Sequence, residues 1–343
     1  MKNTDAHVFT KLDVVQEIFS HTTDSKDLWI PKKEKGLAFA PTNIALCKYW
    51  GKRDTEINLP VTSSLSIALP DKGAMTTITP HDQARDIIIL NDVEIENESQ
   101  FAKQTVAYFD LFRPNKNLHF RVDIKMNIPV AAGLASSACG FASLICALND
   151  LFEWKLSLTH LSILARLGSG SAARSLWMGF VEWHAGVAVD GMDSYGEPLE
   201  TEWPTLQVGI LTLSPDKKRF SSRDAMLRTV NSSALYGSWI KKVNQDLPIL
   251  KQAIKNRNFS LLGGAAESNA LAMHATMLSS WPPICYSIPE TIAMMHQIWD
   301  LRAQGLEVYF TQDAGPNLKL LFLEQNKKQV QENFPQVEVI NVF

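Results

Sequence analysis

The segment from Met126 to Asn149 contains no charged residue, and this feature limits most strongly what the chain can fold into. In principle it is long enough to span a bilayer whose hydrocarbon core is about 30 Å thick. However, it also contains Pro129, two glycines and three serines. Such small and polar residues are typical of a buried loop and helix in a soluble protein. We therefore expect no membrane association.

Within this segment, residues 129–140 read Pro-Val-Ala-Ala-Gly-Leu-Ala-Ser-Ser-Ala-Cys-Gly, a turn that opens an Ala-rich helix. The unpaired N–H groups of a helix start attract anions, and Gly133 lets the chain approach an anion closely. Ser136 and Ser137 add hydroxyl donors. The motif lacks the Gly-Lys-Ser/Thr ending of the common P-loop. It predicts a phosphate site, although a helix start packed with small residues would have the same pattern.

The overall composition excludes several classes of function. At 343 residues the chain exceeds the size at which single cores usually stop growing, which favours two domains. A net charge of −3 offers no general attraction to nucleic acid or to acidic membranes. The four cysteines show no CxxC spacing and the eight histidines no metal-ligand spacing. We therefore expect a reducing, cytoplasmic location and no zinc site.

Strand-like and helix-like segments alternate from Leu37 onward, and runs of strands separated by runs of helices predict an α+β fold. We expect an N-terminal extension over residues 1–35 and two domains over residues 36–203 and 204–343. The extension contains a short apolar helix face. Three alternatives for it remain open, namely a docking helix, a disordered arm and an artefact of start-codon choice. The local patterns further predict strands at Leu65–Leu69, Met75–Thr79 and His119–Met126, and helices at Ala135–Leu151, Ala172–Trp177, Asp224–Ile254, Phe259–Leu278 and Pro289–Ala303.

Lys48 and Lys52 flank the tripeptide Tyr-Trp-Gly, which places two cations and a phenol within a few residues. Lysine acts as a point charge toward phosphate, so this group suits a polyanionic small molecule. Lysines that simply face solvent from a strand would give the same spacing.

Two further clusters contain candidate catalytic groups. Gly168-Ser-Gly-Ser171 is a second glycine–serine turn, and Arg174 follows it with a planar fork that suits a carboxylate. An ordinary capped helix start is the alternative. Asp313 follows a predicted strand, in a turn that contains glycine and proline. A carboxylate held there suits action on a substrate, although aspartate is also a common turn residue in such a setting.

Taken together, these segments resemble the diphosphomevalonate decarboxylase family of the GHMP kinase superfamily. The resemblance runs from about Ala40 to Asn317 in matching order and spacing. Gln312 departs from the family, which more often has an aromatic residue at this position. The segments that carry the resemblance are Asn43-Ile-Ala, Lys48-Tyr-Trp-Gly-Lys-Arg-Asp, Ala132-Gly-Leu-Ala-Ser-Ser-Ala, Gly168-Ser-Gly-Ser-Ala, Phe180-Val-Glu-Trp, Ser221-Ser222, His274-Ala-Thr-Met and Asp313-Ala-Gly-Pro-Asn.

The resemblance implies a two-domain GHMP kinase fold, with a domain like ribosomal protein S5 followed by a ferredoxin-like domain, usually in a homodimer. It implies that ATP, with Mg²⁺, phosphorylates the 3-hydroxyl of mevalonate 5-diphosphate before phosphate and CO₂ leave. Asp313 would orient or deprotonate that hydroxyl, and Arg174 would hold the substrate carboxylate. Lys48 would offset the charge on the transferring phosphoryl group.

The same resemblance implies the binding residues. Those expected for ATP are Gly133, Leu134, Ala135, Ser136 and Ser137. Those expected for the substrate are Asn43, Tyr49, Trp50, Gly51, Lys52, Arg85, Ser169, Gly170, Ser171, Ala172, Ala173 and Ser222. Two alternatives remain open, namely a relative that acts on mevalonate 5-phosphate or only phosphorylates, and an inactive homologue that serves as a binding module.

Overall fold

The structure is a computed structural model that describes residues 9–20, 27–113, 117–128, 136–214 and 220–343. Helices and strands are mixed along these residues, which confirms the predicted α+β fold. The helices are α1 Lys11–Ser20, α2 Gln100–Phe109, α3 Ser136–Phe152, α4 Leu158–Gly168, α5 Ser222–Ser232, α6 Tyr236–Lys255, α7 Phe259–Leu278, α8 Pro289–Ala303 and α9 Lys327–Asn333. The strands are β1 Gly36–Cys47, β2 Lys52–Asp54, β3 Leu59–Pro60, β4 Ser64–His81, β5 Ile87–Leu90, β6 Val93–Glu94, β7 His119–Met126, β8 Phe180–Trp183, β9 Gly196–Pro198, β10 Leu206–Leu211, β11 Val308–Gln312, β12 Leu318–Leu323 and β13 Glu338–Asn341.

The long strand β4 organises the larger sheet, whose order is β6-β5-β7-β4-β8-β9. Antiparallel β1 pairs with β4 on the other edge, with a register shift between Pro41 and Thr42. Two separate strands were expected here. Instead, β4 is continuous, because the turn-like residues 70–72 are extra residues of β4 that have no partner in β1. A bulge of this kind keeps a strand in the sheet despite a proline and a glycine in its sequence.

The second sheet is antiparallel and has the order β11-β12-β10-β13. In the β11–β12 hairpin, Thr311 lies opposite Lys319, and Gln312 lies opposite Leu318. The connection between these strands is therefore the short turn that contains Asp313. Helices α6 and α7 pack against β1 of the first sheet, and one hydrophobic core includes residues from both parts of the chain.

The N-terminal helix α1 is packed against the rest of the molecule. Its apolar face is buried, as the spacing predicted, through Val14, Val15, Ile18 and Phe19. The ring of Phe19 lies 4.9 Å from that of Trp29 and 5.0 Å from that of Trp154. Of the three expectations for this helix, docking onto its own chain is the one that the structure supports.

Two predicted helices differ in the structure. The stretch expected from Asp224 to Ile254 is two helices, because Ser233 adopts an extended conformation after the end of α5. The helix expected at Ala172–Trp177 is a 3₁₀ turn at Gly170–Arg174. Among the described residues, no helix is both long and apolar enough to cross a membrane.

Candidate active site

A cavity of about 1090 Å³ is lined by residues from distant parts of the chain. Its wall combines the end of β1 and the residues after it, the first turns of α3 and α5, the 3₁₀ turn, and the turn between β11 and β12. The predicted site residues that line it are Asn43, Lys48, Tyr49, Trp50, Lys52, Ser136, Ser137, Ser169, Gly170, Ser171, Arg174, Ser222 and Asp313. The fold therefore brings most of the predicted site together.

A carboxylate between two buried lysines lies in this wall. Lys48 Nζ is 2.6 Å from Asp313 Oδ1, and Lys319 Nζ is 3.3 Å from Asp313 Oδ2. The lysine side chains are 2% and 1% exposed, whereas that of Asp313 is 23% exposed. Burial alone would raise the pKa of Asp313, but the two lysine charges hold it well below its ordinary value. Asp313 is therefore ionised at neutral pH.

Burial shifts the pKa of Lys48 in the direction opposite to its effect on Asp313. Burial lowers the pKa of Lys48, the charges of Lys319 and Arg174 lower it further, and Asp313 opposes this shift. The backbone of Lys48 is fixed from α7, because its N–H donates to Asn269 Oδ1 at 2.8 Å. Asn269 in turn donates to Asp246 Oδ2 on α6 at 2.8 Å. Helices of the second part of the chain thus position a cation from the first.

Several hydrogen bonds hold the turn that carries the carboxylate. Gly315 N–H donates to the Asp313 carbonyl at 2.7 Å, and Gln312 Nε2 donates to the Gly315 carbonyl at 2.9 Å. His274 Nε2 lies 3.1 Å from the Asp313 carbonyl, which can only accept, so this nitrogen carries a proton. Burial, aided by the charge of Lys48, lowers the pKa of His274 to about 4. His274 is therefore a neutral donor near pH 7, and Gln312 takes part in the turn through hydrogen bonds.

Arg174 and Tyr49 present buried polar atoms without partners. Arg174 donates from Nη1 to Ser64 Oγ, but Arg174 Nε and Tyr49 OH find no hydrogen-bond partner in the described part of the chain. Burial lowers the pKa of Arg174 to about 10, so the guanidinium stays charged at neutral pH. A Cβ at Gly170 would lie 2.8 Å from Tyr49 OH, so glycine leaves room for the phenol. Because both residues line the cavity, these two polar atoms are available for hydrogen bonds to a ligand.

Serine hydroxyls form a chain between the start of α3 and the 3₁₀ turn. Ser137 Oγ lies 3.1 Å from Ser169 Oγ, which lies 3.3 Å from Ser171 Oγ. Asn43 Nδ2 donates to Ser175 Oγ at 2.8 Å and fixes the same turn. These donors suit phosphate oxygens. The other predicted ATP residues, Gly133, Leu134 and Ala135, lie outside the described residues.

Four of the predicted site residues that the structure describes do not line the cavity. Arg85 is exposed and pairs with Glu94 at 3.2 Å, so its position does not support the expected contact with a diphosphate. Ala172 and Ala173 are fully buried. Gly51 has a φ of 119°, and a Cβ there would overlap Tyr236 OH at 1.6 Å, which gives it a structural reason to be glycine.

The structure also adds residues that sequence reasoning missed. Arg223 and Lys11 line the cavity, and Lys319, His274 and Asn269 hold the residues around Asp313. Arg223 directly follows Ser221-Ser222, and His274 begins His274-Ala-Thr-Met, so two segments that carry the resemblance could have indicated these residues. Lys11 had no comparable signal.

Arg223, Lys11 and Lys52 form a second set of cations in the cavity. Lys52 Nζ donates to the neutral Asn58 Oδ1 at 2.5 Å. Burial lowers the pKa of Lys52 to about 8, with repulsion from Arg223 and Lys11 adding to the effect. None of the three forms an ion pair with a carboxylate among the described residues.

Comparison with known proteins gives a consistent result. Residues 40–196 match the diphosphomevalonate decarboxylase-like N-terminal domain, and residues 208–340 match the mevalonate 5-diphosphate decarboxylase C-terminal domain. The diphosphomevalonate decarboxylase mvd1 of Aspergillus fumigatus is 37% identical over 314 residues, which are 85% of this chain and 77% of that protein. The Candida albicans enzyme is 35% identical, and the match covers 85% of each chain.

Solved structures are also similar. Mevalonate diphosphate decarboxylase from Staphylococcus aureus gives a TM-score of 0.84 at 34% identity, covering 90% of this chain and 96% of that one. The structure of MDDEF in complex with MVAPP, AMPPCP and magnesium gives a TM-score of 0.82 at 37% identity. The match covers 89% of this chain and 95% of that one. The fold and the cationic cavity therefore define an ATP-dependent enzyme of the GHMP kinase superfamily. The chain belongs to the diphosphomevalonate decarboxylase family.

Proposed function

We propose that Asp313, Lys48 and Arg174 are the catalytic residues for ATP-dependent decarboxylation of (R)-5-diphosphomevalonate, which yields isopentenyl diphosphate, ADP, phosphate and CO₂. The observation that supports this most directly is the ionised Asp313 between two buried lysines, in the wall of a cavity that also contains an incompletely paired arginine. Asp313 can accept a hydrogen bond from an alcohol, Arg174 can bind a carboxylate, and Lys48 can bind a phosphoryl group.

The first stage is phosphoryl transfer to the tertiary hydroxyl. The hydroxyl oxygen bonds to the γ-phosphorus of ATP while the bond from that phosphorus to the bridging oxygen breaks, which releases ADP. Asp313 accepts the hydrogen bond of the hydroxyl and then its proton. Because its pKa is held low, Asp313 is a weak base, and orientation of the hydroxyl is its larger contribution. Lys48 compensates the negative charge on the transferring group.

The second stage is loss of phosphate and CO₂. Phosphate is a far better leaving group than hydroxide, so the C3–O bond can break with its electron pair. The electrons of the bond to the carboxylate then form the new double bond as CO₂ departs. Arg174 holds the carboxylate in line until then, since its fork pairs with both oxygens.

The remaining contacts divide between the two substrates. The first turn of α3, with Ser136 and Ser137, suits the phosphates of ATP. When bound together with ATP, Mg²⁺ would neutralise part of the phosphate charge. Lys52, Tyr49 and Arg223, with Ser169 and Ser171, suit the diphosphate. In the described residues, no group of three or more histidine, cysteine, aspartate or glutamate side chains could hold a metal ion.

Three wider expectations belong to the same proposal. We divide the chain into an extension over residues 1–35 and domains over 36–203 and 204–343. We expect a homodimer, which light scattering after gel filtration would test. We also expect a cytoplasmic location, because all four cysteines are free thiols. Fractionation of cells that express the native protein would test the location.

Product analysis tests the activity. The protein is incubated with ATP, Mg²⁺ and either mevalonate 5-diphosphate or mevalonate 5-phosphate, with ADP measured and CO₂ trapped. We expect equal amounts of ADP and CO₂ from the diphosphate and little of either from the monophosphate. ADP without CO₂ would indicate a kinase, and preference for the monophosphate would indicate the alternative substrate. Binding of both substrates without turnover would support the inactive homologue.

A further inference from the structure

Helix α1 brings a charged side chain into the cavity from outside both family matches. These matches begin at residue 40, whereas Lys11 lies in the first turn of α1 and lines the same cavity as Lys52 and Arg223. The three side chains are close enough to affect one another electrostatically. Repulsion from Arg223 contributes to the lowered pKa of Lys11, and Lys11 contributes to that of Lys52.

The position of Lys11 is fixed by both ends of its helix. Thr10 and Asp13 cap the start, since Thr10 N–H donates to Asp13 Oδ2 at 2.8 Å and Asp13 N–H donates to Thr10 Oγ1 at 3.2 Å. At the other end, Phe19 packs against Trp29 and Trp154. A helix held in this way presents its first side chain at a defined place.

The positive charges around Lys11 are only partly compensated within the described part of the chain. Neither Lys11 nor Arg223 forms an ion pair with a carboxylate in the described part of the chain, and Lys52 bonds only to a neutral amide. Glu56 attracts Lys11 from beyond ion-pair distance. Lys11, Lys52 and Arg223 therefore concentrate positive charge in one part of the cavity wall, where a polyanion would be attracted by all three.

We propose that Lys11 is a third cationic ligand for the diphosphate of the substrate, so that helix α1 completes the substrate site and raises its preference for a diphosphate over a monophosphate. This proposal rests on the proposed function. It gives the N-terminal helix a role in binding rather than in stability alone.

The test compares Lys11→Met, which keeps the length and removes the charge, with Lys11→Arg, which keeps the charge. Lys35→Met is the matched control, because Lys35 is an exposed lysine that is not in the cavity wall. For each protein, kcat and KM are measured with mevalonate 5-diphosphate, and the inhibition constant of inorganic pyrophosphate is measured at several salt concentrations. The melting temperature of each variant reports on folding.

For Lys11→Met we expect KM and the pyrophosphate inhibition constant to rise by about 5- to 10-fold, with kcat within about 2-fold of the parent. The salt dependence of both constants should weaken, because one charge no longer contributes. Lys11→Arg should recover most of the affinity, and Lys35→Met should behave as the parent does.

The proposal is overturned if Lys11→Met leaves both constants and their salt dependence unchanged. It is also overturned if the variant loses kcat and melting temperature together while KM stays constant, since that pattern indicates a structural role. Failure of the proposed function is a separate result: the unaltered protein would then release no CO₂ from the diphosphate. In that case, weaker binding of pyrophosphate by Lys11→Met would still place Lys11 in an anion site.

Discussion

The cavity contains two groups of cations that differ in how their charge is compensated. The inner group is Lys48, Lys319 and Arg174, which surround the ionised Asp313 or lie close to it. The outer group is Lys52, Arg223 and Lys11, none of which pairs with a carboxylate among the described residues. The inner group is therefore organised before any substrate binds, whereas the cations of the outer group share no carboxylate in the described residues and would attract an anionic ligand.

This difference separates catalysis from binding. Groups that are fixed in advance around the reacting atoms stabilise the transition state and contribute to kcat. Groups that contact an unreactive diphosphate contribute equally to the ground state and the transition state, so their loss raises KM. Substitutions in the two groups should accordingly give opposite kinetic patterns, and a variant that gives the pattern of the other group would contradict the division.

The largest effect should follow Asp313→Asn. The amide keeps the shape but cannot accept a proton or balance two lysines, so we expect kcat to fall by about 10³-fold or more. Substrate should still bind, because the outer group is intact. Trapped CO₂ and calorimetric titration with mevalonate 5-diphosphate measure the two properties.

The same variant should also lose stability. Two buried lysines without a counter-charge cost on the order of 3–5 kcal/mol, which urea unfolding would detect. Asp71→Asn, an exposed aspartate outside the cavity, is the control. Retention of parental kcat by Asp313→Asn would remove Asp313 from the mechanism.

Next in size is the difference between the two buried lysines. Only Lys48 lines the cavity, although both contact Asp313. Lys48→Met should lower kcat by about 10²- to 10³-fold, because it removes a charge near the transferring phosphoryl group. Lys319→Met should lower it by only about 10-fold, since Lys319 is a positioning residue that acts through Asp313.

The pH profile distinguishes these two roles. Removal of Lys319 takes one positive charge from beside Asp313, so the pKa of Asp313 should rise toward its ordinary value and the acid limb of kcat should move to higher pH. Equal losses of kcat in both variants, without such a shift in the pH profile, would show that Lys48 and Lys319 have the same role.

A smaller change is expected at Lys52, in the outer group. Lys52→Met should raise KM for mevalonate 5-diphosphate by about 10- to 30-fold while kcat stays within about 3-fold. Arg85→Met is the control, because Arg85 is an exposed arginine that pairs with Glu94 and is not in the cavity wall. A rise in KM for Arg85→Met as large as that for Lys52→Met would return Arg85 to the diphosphate site.

Sequence reasoning identified the candidate site residues that lie within short, local motifs. Lys48 and Lys52 are in one short motif, and Asp313 is in a turn between two recognisable strands. The β11–β12 register also places Thr311 opposite Lys319, so the second lysine could have been derived from the hairpin.

The parts that failed depend on long-range packing. Pro70 and Gly73 resemble the end of a strand, and only the register shift in β1 shows that β4 continues. Lys11 and Arg223 reach the cavity because α1 and α5 pack at its edge, and no local pattern specifies where a helix packs. Arg85 does not line the cavity for the same reason, since a short motif match does not fix where a side chain lies in the fold; its expected role stays a prediction.

The smallest predicted effect is a pH dependence that arises in the outer group. Burial, with repulsion from Arg223 on α5 and Lys11 on α1, lowers the pKa of Lys52 to about 8. Lys52 is therefore charged below that pH and neutral above it, so kcat/KM for mevalonate 5-diphosphate should fall as the pH rises from about 7.5 to 9.5, by up to about 10-fold. The limiting kcat should change less, because a bound diphosphate raises the pKa of Lys52. In Lys52→Arg the side chain stays charged throughout this range, so the fall in kcat/KM should disappear. If the fall persists, another group is titrating and Lys52 does not control binding.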